Sequence, residues 1–94
     1  MFRKYKRVRR KYVLKPYSNL SYSDLSFLKL KNIDLRGARF FRANLSYSDL
    51  SGSNLEGAVF VEALLIGTNL KGANLKDAVF TGANMFKMIK KINL

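Results

Sequence analysis

The chain has 94 residues, enough for one small domain. Its apolar content of 48% is too high for a disordered chain, and the absence of cysteine and histidine removes disulfides, the usual transition-metal ligands and the commonest general base. Eighteen Lys and Arg against six Asp and Glu leave a net charge of +12, which predicts attraction to nucleic acid, an anionic membrane surface or an acidic protein.

Residues 1–17 read as a basic N-terminal arm. Arg3, Lys4, Lys6, Arg7, Arg9, Arg10, Lys11 and Lys15 carry positive charge with no acid among them, and they are the candidate anion or nucleic-acid contacts. Phe2, Tyr5, Val8 and Tyr12 interleave them at spacings of three and four. As a helix, this pattern sets a mostly apolar stripe opposite a basic face, with Arg9 interrupting the stripe. Such an arm suits phosphate neutralisation with aromatic stacking, an anionic membrane surface, or an extended contact across a partner protein. A solvated tail or an N-terminal cap for the next element are the alternatives. Pro16 ends any helix and separates the arm from the rest of the chain. No apolar run approaches the length of a bilayer span, and no apolar stretch or small-residue cleavage site succeeds the charged start as in a secretory signal. The expectation is a chain that is intracellular or particle-associated.

From Leu20 onward every fifth residue is large and apolar: Leu20, Leu25, Leu30, Leu35, Phe40, Leu45, Leu50, Leu55, Phe60, Leu65, Leu70, Leu75, Phe80 and Met85. The period is neither 3.6 nor 2, so it describes neither an amphipathic helix nor a flat alternating strand. Two residues before most centres stands a small residue, as at Ser18, Ala38, Ala58 and Ala78. One residue before, Asn or Asp recurs: Asn19, Asp24, Asp34, Asn44, Asp49, Asn54, Asn69, Asn74 and Asn84. Glycine recurs two residues after, from Gly37 to Gly82. Each unit therefore reads as a very short strand and then a corner. Phe40, Phe60 and Phe80 recur every twenty residues, so four units make one turn and equal side chains stack at about 4.8 Å.

The motif seen as Ala73-Asn74-Leu75-Lys76-Asp77 and Ala83-Asn84-Met85, with Ala38-Arg39-Phe40 as a variant, resembles the pentapeptide-repeat proteins. The resemblance covers residues 18–86 and implies an all-β fold, a right-handed quadrilateral β-helix. Its length corresponds to about three and a half coils. The centre residue and the small residue two before it would point inward. Leu28 and Ile33 depart from the pattern by replacing the small inward residue, and Lys29 replaces Asn or Asp.

In this register Arg36, Glu56 and Lys76 share an outward column, and Arg42 sits beside Glu62. Phe41, Val59, Val61, Leu64, Ile66 and Val79 face outward on two adjacent sides and form a candidate protein interface. Residues 87–94 read as a C-terminal cap. Met85, Phe86, Met88, Ile89 and Ile92 recur at helical spacing, which predicts a short helix over the open end of the coil. A homodimer through this end is the alternative.

Asp24, Asp34, Asp49, Glu56, Glu62 and Asp77 are the only acids, and most obey the repeat. The serines obey it too and have no histidine to activate them. The expectation is a non-enzymatic structural or adaptor protein with no metal and no cofactor. It would dock through the basic arm and the apolar patch into a larger protein or nucleoprotein assembly. A nucleic-acid-binding accessory protein and a membrane-surface protein are the alternatives. Relatives that imitate the acidic rod of DNA do so with the opposite charge.

Overall fold

The computed structural model describes residues 4–90. A β-hairpin of β1 (Lys6–Val8) and β2 (Tyr12–Leu14) leads into a stack of square coils. On one side of the square Asn19 bridges Arg39, Arg39 bridges Val59 and Val59 bridges Val79, all parallel. The other sides repeat this as Asp24–Asn44–Leu64–Asn84, Lys29–Asp49–Asn69–Ile89 and Asp34–Asn54–Asn74. The twenty-residue step is the one read from the phenylalanines, and the chain folds as a right-handed quadrilateral β-helix.

Ladder bonds flank each bridge: Phe40 N–H donates to Val59 O at 2.7 Å, and Arg39 N–H donates to Ser18 O at 2.9 Å. The corners have two causes in the sequence. The residue two past each centre takes a positive φ, between 52° at Arg42 and 72° at Gly72, as Tyr17 does at 64°, and this is why glycine recurs there. The Asn or Asp before the centre accepts, through its side-chain oxygen, the N–H two residues on. All nine Asn and Asp residues noted in the repeat make this turn.

The interior is a set of files. Phe40, Phe60 and Phe80 stack with ring centroids 4.9 and 5.0 Å apart and planes within 7° of parallel. Phe40 and Phe60 are fully buried, as are Ala38 and Ala58 beside them. Phe80 is only half-buried because it lies in the last coil.

The first coil keeps its bridges despite Leu28 and Ile33. Elsewhere the N–H of the small residue closes the corner onto the carbonyl three residues back, as from Ala43 to Phe40 O at 3.0 Å. At Leu28 and Ile33 a serine hydroxyl of the next coil takes that place. Leu28 N–H donates to Ser48 Oγ at 3.3 Å, and Ser48 Oγ donates to Leu25 O. Ile33 N–H donates to Ser53 Oγ at 3.1 Å, and Ser53 Oγ donates to Leu30 O at 2.8 Å. Both hydroxyls are buried, so the widened corners leave no backbone group orphaned.

Two expectations are corrected. The C-terminal segment is coil and no helix through Lys90: Met88 N–H closes onto Met85 O at 3.0 Å, and Ile89 N–H donates to Thr68 O at 2.8 Å. Met85 falls in the repeat phase, and ladder bonds to the coil below outweigh a helix of one or two turns, which is marginal by itself. Residues 91–94 of the expected cap, with Ile92, lie outside the described residues. Among the described residues the basic arm forms a hairpin over residues 6–14 rather than a helix.

Candidate functional site

The hairpin is built by alternation around a turn. Lys6 pairs with Leu14, Arg7 with Val13 and Val8 with Tyr12. Val8 and Leu14 are buried in the hydrophobic core and Tyr12 packs against it, while Arg7 is exposed. The loop is Arg9-Arg10-Lys11: Arg9 and Arg10 take φ of 49° and 56°, and Lys11 N–H closes the turn onto Val8 O at 3.1 Å. Two left-handed residues in succession give a twist that matches the flanking strands.

Arg9 locks the hairpin to the first coil. Its Nε donates to Asp24 O at 3.0 Å and its Nη2 donates to Ser26 O. The Ser26 hydroxyl and amide hold the Asp24 carboxyl below the usual carboxylate range, with Arg9 a smaller contributor. The arm is thus a cap on the first coil, one of the alternatives its sequence allowed.

Of the predicted basic contacts, Lys4, Lys6, Arg7, Arg10, Lys11 and Lys15 are exposed on the hairpin and its exit. Arg9, also exposed, spends its donors on the carbonyls of Asp24 and Ser26. Arg3 and Phe2 lie outside the described residues. Charge is divided unevenly along the coil axis. Between Lys4 and Arg42 stand twelve basic and two acidic residues, whereas residues 43–94 hold five basic and four acidic ones. The hairpin, the first coil and the start of the second, through Arg42, carry ten of the twelve net positive charges.

An open groove of about 440 Å³ runs between hairpin and coil. Lys4, Tyr5, Lys6, Leu14 and Pro16 line one wall, and Asn32, Ile33, Asp34 and Arg36 line the other. Arg36 pairs with Asp34 at 3.3 Å, a closer acid than the Glu56 that shares its column. It also borders a second groove of about 410 Å³ with Tyr17, Gly37, Glu56, Gly57 and Asp77. The expected pair of Arg42 with Glu62 forms at 2.6 Å.

Sequence reasoning missed a set of exposed rings. Tyr17, Tyr22 and Phe27 occupy three consecutive corners of the first coil and are 71%, 68% and 74% exposed. Tyr47 lies one coil below Phe27, stacked on it at 5.2 Å. Tyr22 meets Phe41 edge-on at 5.6 Å. The signal was their phase: they stand where later coils place Gly37, Gly67 and Gly82. Gly37 and Gly67 leave the space over which the rings of Tyr17 and Tyr47 lie.

The apolar patch reaches the surface as expected. Leu64 and Val79 are exposed, and Phe41, Val59, Val61 and Ile66 are half-buried. It lies on the sides centred on Phe60 and Leu65, mostly in the half that carries little net charge.

The pentapeptide-repeat family model matches residues 18–57 and 58–85 in eight copies. The chain belongs to the pentapeptide-repeat family. Among solved structures it is 33% identical to HetL, a pentapeptide repeat protein involved in heterocyst differentiation regulation from the cyanobacterium Nostoc sp. strain PCC 7120; 77% of this chain and 36% of that one are covered, with a TM-score of 0.44. It is 25% identical to a pentapeptide repeat protein of the Arabidopsis thaliana thylakoid lumen, over 77% of this chain and 64% of the other, with a TM-score of 0.49. It is 26% identical to QnrB1, a plasmid-mediated fluoroquinolone resistance protein, over 78% of this chain and 38% of the other, with a TM-score of 0.45. The chain thus spans between about a third and two thirds of the length of these relatives. No curated protein matches it. Among the described residues no helix is long and apolar enough to cross a membrane.

Proposed function

We propose that the chain is a non-enzymatic docking module, a rigid coil whose hairpin-capped end seats on an anionic surface of a larger assembly. One observation carries this reading: twelve basic residues against two acidic ones between Lys4 and Arg42. A fixed platform holds many of these charges in place, so binding need not order a free arm first. The second contact is the apolar patch around Val61, which lies away from the charged end and suits a protein neighbour. The filled interior and open grooves favour surface recognition over chemistry on an enclosed substrate.

Heparin serves as a generic anionic probe. Replacing Lys4, Lys6, Arg7 and Lys11 with Gln should lower the salt needed to elute the protein from a heparin column, because each exposed charge neutralises an anion and releases its counterions. The circular dichroism spectrum should not change. Elution at the wild-type salt concentration would remove the basic end from the binding surface. Val61→Lys should weaken assembly with a native protein partner while leaving the coil folded; an undiminished complex would remove the patch.

A further inference from the structure

We propose that the anion met by this end is single-stranded nucleic acid, with its bases stacked on the corner rings of the first coil; this rests on the docking reading above. Charge alone does not choose between a polyphosphate and an acidic protein. The rings do.

Tyr17, Tyr22 and Phe27 take φ of 64°, 62° and 58°, a conformation in which a side chain with a Cβ is strained and glycine is not. Gly37, Gly67 and Gly82 occupy the equivalent corners in later coils. Three aromatics, all more than two-thirds exposed, therefore sit in succession at left-handed corners where glycine is the unstrained residue. Their packing within the chain is limited: Tyr17 lies over Gly37, Tyr22 touches Phe41 edge-on, and Phe27 stacks on Tyr47. Much of each ring is left to solvent.

Basic side chains flank the run of rings along the same coil, and the exposed Asp24 stands between Tyr22 and Phe27. Lys15 precedes Tyr17, Lys29 and Lys31 come after Phe27, and Arg36 joins the two grooves that lead past Tyr17 to the hairpin. Exposed aromatic rings with cations close by are what an unpaired strand needs: every base offers a face to stack, and every phosphate needs a counter-charge. A duplex keeps its bases stacked inside and presents only its backbone charge to such a surface.

The test uses a fluorescein-labelled oligothymidylate of about 15 nucleotides, within the span of known single-strand sites. A duplex of equal length and heparin are the comparisons, and binding is read by anisotropy against salt. Tyr17→Gly, Tyr22→Gly and Phe27→Gly are the variants, because glycine suits these corners and the coil should fold as before. Each should weaken oligothymidylate binding by about 5- to 150-fold, the usual loss of a stacked base. Heparin elution should stay where it was, and Tyr22→Phe should bind like the parent. Oligothymidylate should bind more tightly than the duplex.

Glycine variants that keep full affinity, or a duplex bound as tightly as the single strand, would overturn the stacking proposal while heparin binding keeps the docking reading alive. Failure of all three polyanions to bind would overturn both.

Discussion

Phe60→Ala is expected to destabilise the fold by about 3–5 kcal/mol, among the larger losses a single core truncation produces. Phe60 is fully buried and stacks on two rings at once, Phe40 above and Phe80 below. Alanine there leaves a ring-sized void in the file and removes both stacking contacts. Phe80→Ala should cost less, because Phe80 is half-buried and has one ring neighbour of this kind among the described residues. The order is a sharper test than either value, and thermal unfolding reads it. For a domain of this size the Phe60 loss corresponds to roughly 12–40 °C in melting temperature. A change below about 1 kcal/mol at Phe60, or a larger loss at Phe80, would mean that the rings do not share one internal file.

Deleting residues 1–15 should cost at least about 3–6 kcal/mol, the sum for uncovering two buried aliphatic side chains of this size. Val8 and Leu14 leave the core with the hairpin, and Leu20, Leu25, Leu30 and Leu35 of the first coil lose their cover. The Arg9 bonds to Asp24 O and Ser26 O go as well. Thermal unfolding of the truncated chain should begin earlier, and a dye that reports exposed apolar surface should bind it. A truncated chain that melts like the parent would make the hairpin an appendage.

Much of the coil was legible because its causes are local and repeated. The fivefold file of Leu and Phe, the nine Asn and Asp corner residues and the twenty-residue recurrence of Phe each have one structural solution, and all agree. The hairpin was hidden because its turn is Arg9-Arg10, without the Asn or Gly that usually marks two successive left-handed residues. Val8, Tyr12 and Leu14 do share one face of a paired strand, but over so few residues that pattern also fits a helical stripe. The last turn misled for a related reason. Met85, Met88 and Ile89 satisfy helical spacing and the five-residue phase alike, and the hydrogen bonds offered by Thr68 and Leu70 of the preceding coil decide between them.

Leu28 and Ile33 broke the pattern at the inward position, yet the coil absorbs them through Ser48 and Ser53, twenty residues on. That compensation is long-range and cannot be read from either segment alone. The exposed rings of Tyr17, Tyr22 and Phe27 were readable in principle from their phase. Attention to what points inward passes over them, since a left-handed corner does not favour an aromatic.

Both the stability of the first coil and the docking role depend on the basic segment being a seated part of the solid. Amide hydrogen exchange measured residue by residue over Lys6–Leu14 tests this directly. Slow exchange at the paired amides of β1 and β2, within reach of the protection seen at Leu20 and Leu25, is the predicted result. Exchange at the rate of an unstructured peptide throughout Lys6–Leu14, beside a protected coil, would contradict it.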